Sequence, residues 1–298
     1  MNTVLFTQFW PSPLNNRTIP FRFSQAGFVT SFSLFLVFFV TLPGTVTAQL
    51  QYPIDVAVAG DDVFVVDRML PGVFKIDQQG KLSEVFRASK KFRTPLNAAR
   101  CVVAAPDGSV IVGDSSTRQL FRMEEKPVPI LTNRIGIGVP YAMVFNKKGD
   151  LFVADLEPPG RIFRIPAGKT EPEPFATQPG VRGLAIDGQG NLIAVTGLAE
   201  ALLKYAPDGK RTVLLGDRPF KFPNSVVVRE NDIFVSDSYK KCIWRVDASG
   251  KASEFCSSGI SYPGGMAVAG DRLIVTDAKA KKIFSIGPDG KATELAIK

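Results

Sequence analysis

Short apolar runs recur along the chain and end on an aspartate: VFVVD at 63–67, VIVGD at 110–114, LFVAD at 151–155, IFVSD at 233–237 and LIVTD at 273–277. A sixth copy, LIAVT at 192–196, carries Thr196 where the others carry Asp. The steps between these landmarks are 47, 41, 41, 41 and 40 residues, the spacing of a four-stranded propeller blade. Each copy has the same surroundings. An apolar run precedes it, as in VAV (56–58), MVF (143–145) and MAV (266–268), and a Gly-containing turn separates the two. A third run follows in an apolar-aromatic-basic-apolar pattern: VFKI, LFRM, IFRI, LLKY, IWRV and IFSI, ending at Ile76, Met123, Ile165, Tyr205, Val246 and Ile286. Turns such as Pro207-Asp208-Gly209 and Pro288-Asp289-Gly290 then supply the positive φ that a tight hairpin needs before an outer strand.

The innermost runs are almost continuously apolar, as expected of strands covered on both faces by neighbouring blades. The pattern predicts an all-β fold, a six-bladed β-propeller of four-stranded antiparallel blades at approximately 52–94, 95–132, 133–176, 177–216, 217–256 and 257–298. The first repeat begins at its inner strand and the last finishes at its outer strand, KATELAI. Closure of the ring is therefore expected from packing between the first and sixth blades, helped by Gln49 to Tyr52, without an exchanged strand.

Ahead of the repeats, FVTSFSLFLVFFVTL (Phe28 to Leu42) is uncharged, preceded by Arg17 and Arg22 and followed by Val46-Thr47-Ala48. This reads as a signal peptide over residues 1–48, cleaved after Ala48, so an exported, extracytoplasmic protein is expected. The other reading is an uncleaved membrane anchor. Export permits disulfides. Cys242 and Cys256 are equidistant from Ser249 in a predicted hairpin, which suits either a cross-strand disulfide or two buried thiols; Cys101 is left over.

Composition narrows the chemistry. The chain has 298 residues and no histidine, so the commonest general base and zinc ligand is missing from any mechanism. Its net charge of +8 is dispersed. The third-strand residues Lys75, Arg122, Arg164, Lys204 and Arg245 recur once per blade and are expected to make local ion pairs rather than a nucleic-acid stripe. The landmark aspartates are expected to bind backbone N–H groups of their loops. No P-loop, dinucleotide fingerprint, zinc cysteine set or Ser-His-Asp system is present, and a monomer is expected.

Four repeats open on a proline followed by a small or strand-starting residue: Pro53-Ile54-Asp55, Pro140-Tyr141-Ala142, Pro223-Asn224-Ser225 and Pro263-Gly264-Gly265. Together with VSDS at 235–238, these make residues 52–298 resemble NHL-repeat propellers and, more distantly, gluconolactonase (senescence marker protein) and strictosidine synthase-like propellers. The residue after the opening position is expected to face the central channel: Ile54, Arg100, Tyr141, Arg182, Asn224 and Gly264. In gluconolactonase-like enzymes the resemblance implies a calcium or zinc site there, built from a Glu, an Asn and an Asp. Asn224 matches the Asn, Gly264 stands in place of the Asp, and the first repeat has Ile54 rather than a glutamate at its channel position, with Asp55 one residue along. The leading expectation is a binding module with no cofactor, taking a protein, peptide or anionic ligand at Arg100, Tyr141, Arg182 and Asn224. The alternative is a metal-dependent hydrolase or lactonase with a site remodelled around Asn224 and Asp55.

Overall fold

A computed structural model describes residues 49–298 apart from 90, 92 and 133–135. The expected signal segment lies outside the described residues. Every described regular element is a strand, and the strands form six four-stranded antiparallel sheets in simple sequence order. Blade 1 is β1 (Pro53–Ala59), β2 (Asp62–Asp67), β3 (Gly72–Ile76) and β4 (Leu82–Arg87). Blade 2 is β5 (Ala99–Ala104), β6 (Val110–Asp114), β7 (Gln119–Met123) and β8 (Pro127–Pro129). Blade 3 is β9 (Pro140–Phe145), β10 (Leu151–Asp155), β11 (Arg161–Ile165) and β12 (Glu173–Thr177). Blade 4 is β13 (Val181–Ile186), β14 (Leu192–Thr196), β15 (Leu202–Tyr205) and β16 (Arg211–Leu215). Blade 5 is β17 (Pro223–Arg229), β18 (Asp232–Asp237), β19 (Cys242–Val246) and β20 (Ala252–Cys256). Blade 6 is β21 (Pro263–Ala269), β22 (Arg272–Asp277), β23 (Lys282–Ile286) and β24 (Ala292–Glu294).

The hydrophobic core is divided among the six seams between adjacent blades. Val66 and Val73 of blade 1 meet Val102 and Val112 of blade 2, and Val153 and Phe163 of blade 3 meet Ile111 and Leu120 of blade 2. The same layering continues around the ring, and the last seam joins Ile274 and Ile283 of blade 6 to Val65 and Phe74 of blade 1. Each fully buried side chain of this size contributes roughly 1.5–3 kcal/mol.

Among the described residues, closure uses the segments before β1 and after β24 and no exchanged strand. Leu50 is buried in the last seam. Lys281 donates from Nζ to Gln51 Oε1 at 3.0 Å. The segment after β24 adds a contact absent from the sequence reading: Lys298 N–H bonds the Gly80 carbonyl at 2.8 Å, and Leu82 N–H bonds the Lys298 carbonyl at 3.3 Å.

The landmark aspartates are buried clamps. Asp67 accepts the N–H groups of Gln51 and Tyr52 before β1 and of Met69 and Leu70 after β2, at 2.7–2.9 Å. Asp237 does the same for Lys221, Phe222, Tyr239 and Lys240. Asp114, Asp155 and Asp277 follow suit, each joining the segment before its inner strand to the loop after the second. Four of the five third-strand basic residues pair locally, Lys75 with Asp62, Arg122 with Asp107, Arg164 with Asp150 and Arg245 with Asp232, at 2.8–3.0 Å, and among the described residues Lys204 makes no ion pair.

The possible disulfide between Cys242 and Cys256 is not formed. Trp244 pairs with Glu254, but the next pair outward is Ile243 with Cys256, because Phe255 is an extra residue on the outer strand. This bulge carries Cys256 past Cys242, and both remain buried free thiols, as does Cys101. Burial pushes the Cys242 thiol up to about 12, with the nearby Glu254 and Asp237 adding to the shift.

Candidate functional site

The channel-facing ring is made by a defect repeated in every blade. In blade 1, Pro53 pairs with Asp67 but Asp55 pairs with Val66, so Ile54 is one residue too many for its partner strand. The same extra residue falls at Arg100, Tyr141, Arg182 and Asn224 in blades 2 to 5. In blade 6 the irregularity spans Gly264 and Gly265. A bulge re-aims its side chain away from the sheet's alternation. All six ring positions line one cavity of about 500 Å³ at the centre of the propeller, within the range of small-ligand sites. Arg100, Tyr141, Arg182 and Asn224, the four residues expected from sequence, are therefore brought together.

Other lining residues went unpredicted. Tyr52, Phe222 and Tyr262 immediately precede the opening prolines of blades 1, 5 and 6, and Arg68 follows the landmark Asp67. A readable signal existed for the aromatics: Tyr-Pro or Phe-Pro occurs at those three repeat starts. Burial raises the Tyr52 phenol above its ordinary value and the neighbouring Tyr262 adds to this, while Arg68 opposes it. These three side chains thus share one side of the mouth.

The arginines are held in different ways. The Arg182 guanidinium carbon stands 4.1 Å from the centre of the Phe222 ring. Gly197 leaves it room, since a Cβ there would stand 3.2 Å from Arg182 Nε. Arg100 reaches the Ser115 hydroxyl with Nε at 3.4 Å. Among the described residues no carboxylate makes an ion pair with Arg68, Arg100 or Arg182.

Asp55 is the acidic residue among those lining the cavity. Its Oδ2 accepts the Val102 N–H of the adjacent inner strand at 2.8 Å. On its other side it packs against Gly265 of blade 6, where any Cβ would collide with Oδ1. Removal from water raises its pKa from 3.8 to about 7, against the opposing effect of the Val102 and Val56 N–H groups. Part of the residue still faces the channel.

The donors expected for a metal, Asn224 and Asp55, both line the cavity. Asn224 donates its Nδ2 to the Pro263 carbonyl at 3.0 Å, which leaves its Oδ1 as the atom able to meet a cation. Asp55 has one oxygen on Val102 and the other against Gly265. Among the described residues no three His, Cys, Asp or Glu side chains cluster in metal-binding fashion. Calcium takes six to eight oxygens, more than the Asn224 and Asp55 side chains alone supply.

No family model matches the sequence, and no curated protein matches it. Solved structures do. Virginiamycin B lyase from Staphylococcus aureus is similar at 19% identity, over 84% of this chain and 87% of that one, with a TM-score of 0.63. A gluconolactonase from Xanthomonas campestris is similar at 13% identity, over 77% and 84%, with a TM-score of 0.65. A chain of a nidogen–laminin complex is similar at 17% identity, over 72% and 84%, with a TM-score of 0.63. At such identities the likeness is one of fold, and the chain is a six-bladed β-propeller whose solved neighbours include gluconolactonase-like and virginiamycin B lyase propellers.

Proposed function

We propose that the protein is an exported binding module that takes an anionic group, a carboxylate, sulfate or phosphate on a small ligand or on a peptide or polymer, at its channel mouth. The observation that carries this reading is the convergence of Arg68, Arg100 and Arg182 on one aromatic-lined cavity of about 500 Å³ without an acidic partner. Guanidinium groups bind such oxyanions through charge-assisted, often paired hydrogen bonds. The lining carboxyl of Asp55 has its pKa raised to about 7 by burial, which weakens its opposition to an anion. Aromatic walls lower the local polarity and strengthen each ionic hydrogen bond.

Enzymes stand among the structural neighbours, and a hydrolase or lactonase at the same channel is the second reading. The lyase has a variant described as catalytically inactive after a histidine was replaced by alanine, and this chain contains no histidine. The test is a thermal-shift screen of sulfate, phosphate, gluconate and short dicarboxylates at constant ionic strength. A ligand at 100 times its Kd stabilises the native state by about 2.7 kcal/mol. At least one oxyanion is expected to raise Tm where matched chloride does not. Equal Tm across the screen would reject the reading.

A further inference from the structure

The cavity continues outward along three stacked groups. Arg182 stands at 4.1 Å on Phe222, and the Tyr239 ring lies nearly parallel to Phe222, with centroids 4.6 Å apart and planes 19° apart. Phe222 lines the cavity, whereas Tyr239 is 54% exposed in the loop after β18. The run therefore leads from a channel arginine to an aromatic ring open to solvent.

The run is built rigidly. Phe222 and Tyr239 both donate their backbone N–H groups to Asp237 Oδ1, at 3.0 and 3.2 Å. That carboxylate is fully buried. At the inner end, Gly197 makes room for the guanidinium. An exposed ring already fixed by its neighbours loses little freedom when another group settles on it, which is the condition for an efficient stacking surface.

We infer that Tyr239 is a stacking platform at the rim of the channel site, and that the ligand class is an anion carrying a flat aromatic ring on a flexible spacer. This rests on the anion-binding reading above. The acid group meets Arg182 and the ring covers the face of Tyr239 turned away from Phe222. The spacer passes the 4.1 Å and 4.6 Å separations of the stack and a further ~3.5 Å to the ligand ring. A flat π-system suits the platform better than a puckered or branched group, because offset parallel stacking needs two planar faces.

Calorimetry with hexanoate, 6-phenylhexanoate and 6-cyclohexylhexanoate separates charge, ring and bulk. The phenyl compound is expected to bind roughly 3- to 10-fold more tightly than hexanoate, and more tightly than the cyclohexyl compound of similar size. Tyr239→Ala should abolish the phenyl advantage while leaving hexanoate affinity unchanged, and Tyr239→Phe should retain it. An unchanged phenyl-to-hexanoate ratio in Tyr239→Ala, or equal binding of phenyl and cyclohexyl compounds, would overturn the platform while the anion site stood. Absence of binding by all three, with sulfate and phosphate also inert, would overturn both.

Discussion

Two positions occur once in every blade and have opposite histories. At the end of the second strand, five blades carry a buried aspartate that binds backbone N–H groups of its own blade, with the second oxygen of Asp114 taken by the Ser116 and Thr117 hydroxyls and that of Asp155 by Arg161. At the bulge beside it, the six blades carry Ile54, Arg100, Tyr141, Arg182, Asn224 and Gly264, and only arginine appears twice. A residue that recurs because the blade recurs answers a structural need common to all blades. A bulge residue points into the channel, where no common need exists, so its chemistry is free to vary. Blade 4 departs at the first position. Thr196 Oγ1 donates to the Glu200 carbonyl at 2.8 Å and accepts the Leu198 N–H at 3.0 Å. It secures the following loop without a carboxylate, in the blade that presents Arg182.

The largest effect expected from breaking this division is on the repeated ring. Asp237→Ala strands several buried N–H donors and should cost about 3–5 kcal/mol in urea unfolding, whereas Thr196→Ala should cost about 1–2 kcal/mol. Equal costs would mean that the aspartate clamps do not hold the blades.

Asp55 offers a smaller and pH-dependent effect. Its folded pKa of about 7 exceeds the ordinary 3.8, so between those values the native state holds a proton that the unfolded chain has lost. Its contribution to stability is present at low pH, declines as pH rises through that window, and is gone above it. Asp55→Asn keeps an oxygen for the Val102 N–H and removes the buried charge. It should raise Tm by roughly 2–4 °C at pH 8 and have little effect at pH 4. The same Tm difference at both pH values would show that Asp55 is not the titrating group.

The architecture was legible because an aspartate-ended strand and its flanking runs recur at blade spacing, and each run's burial follows from having a blade on either face. The four channel residues were legible because they occupy one offset from the opening position. The bulges were not. An extra residue leaves no mark on sequence spacing, and the one at Phe255 displaced Cys256 from Cys242. Arg68 and Tyr239 were missed for a different reason. They follow the landmark aspartates in loops whose direction is set by the N–H clamps; the position of Arg68 elsewhere holds small or aliphatic residues such as Ser115 and Leu156, and that of Tyr239 holds unrelated ones such as Met69, Glu157 and Lys279.

The central claim is that the varying ring, and not the dispersed positive charge, binds the ligand. It is tested most directly by measuring sulfate affinity calorimetrically in two double variants that remove equal charge. Arg100→Ala with Arg182→Ala empties two bulge positions, and Arg122→Ala with Arg245→Ala removes two third-strand ion-pair partners. The bulge variant is predicted to bind at least ~10-fold more weakly than the unaltered protein, and the third-strand variant to stay within ~2-fold of it. Equal losses in the two variants, or full affinity in the bulge variant, would contradict the account.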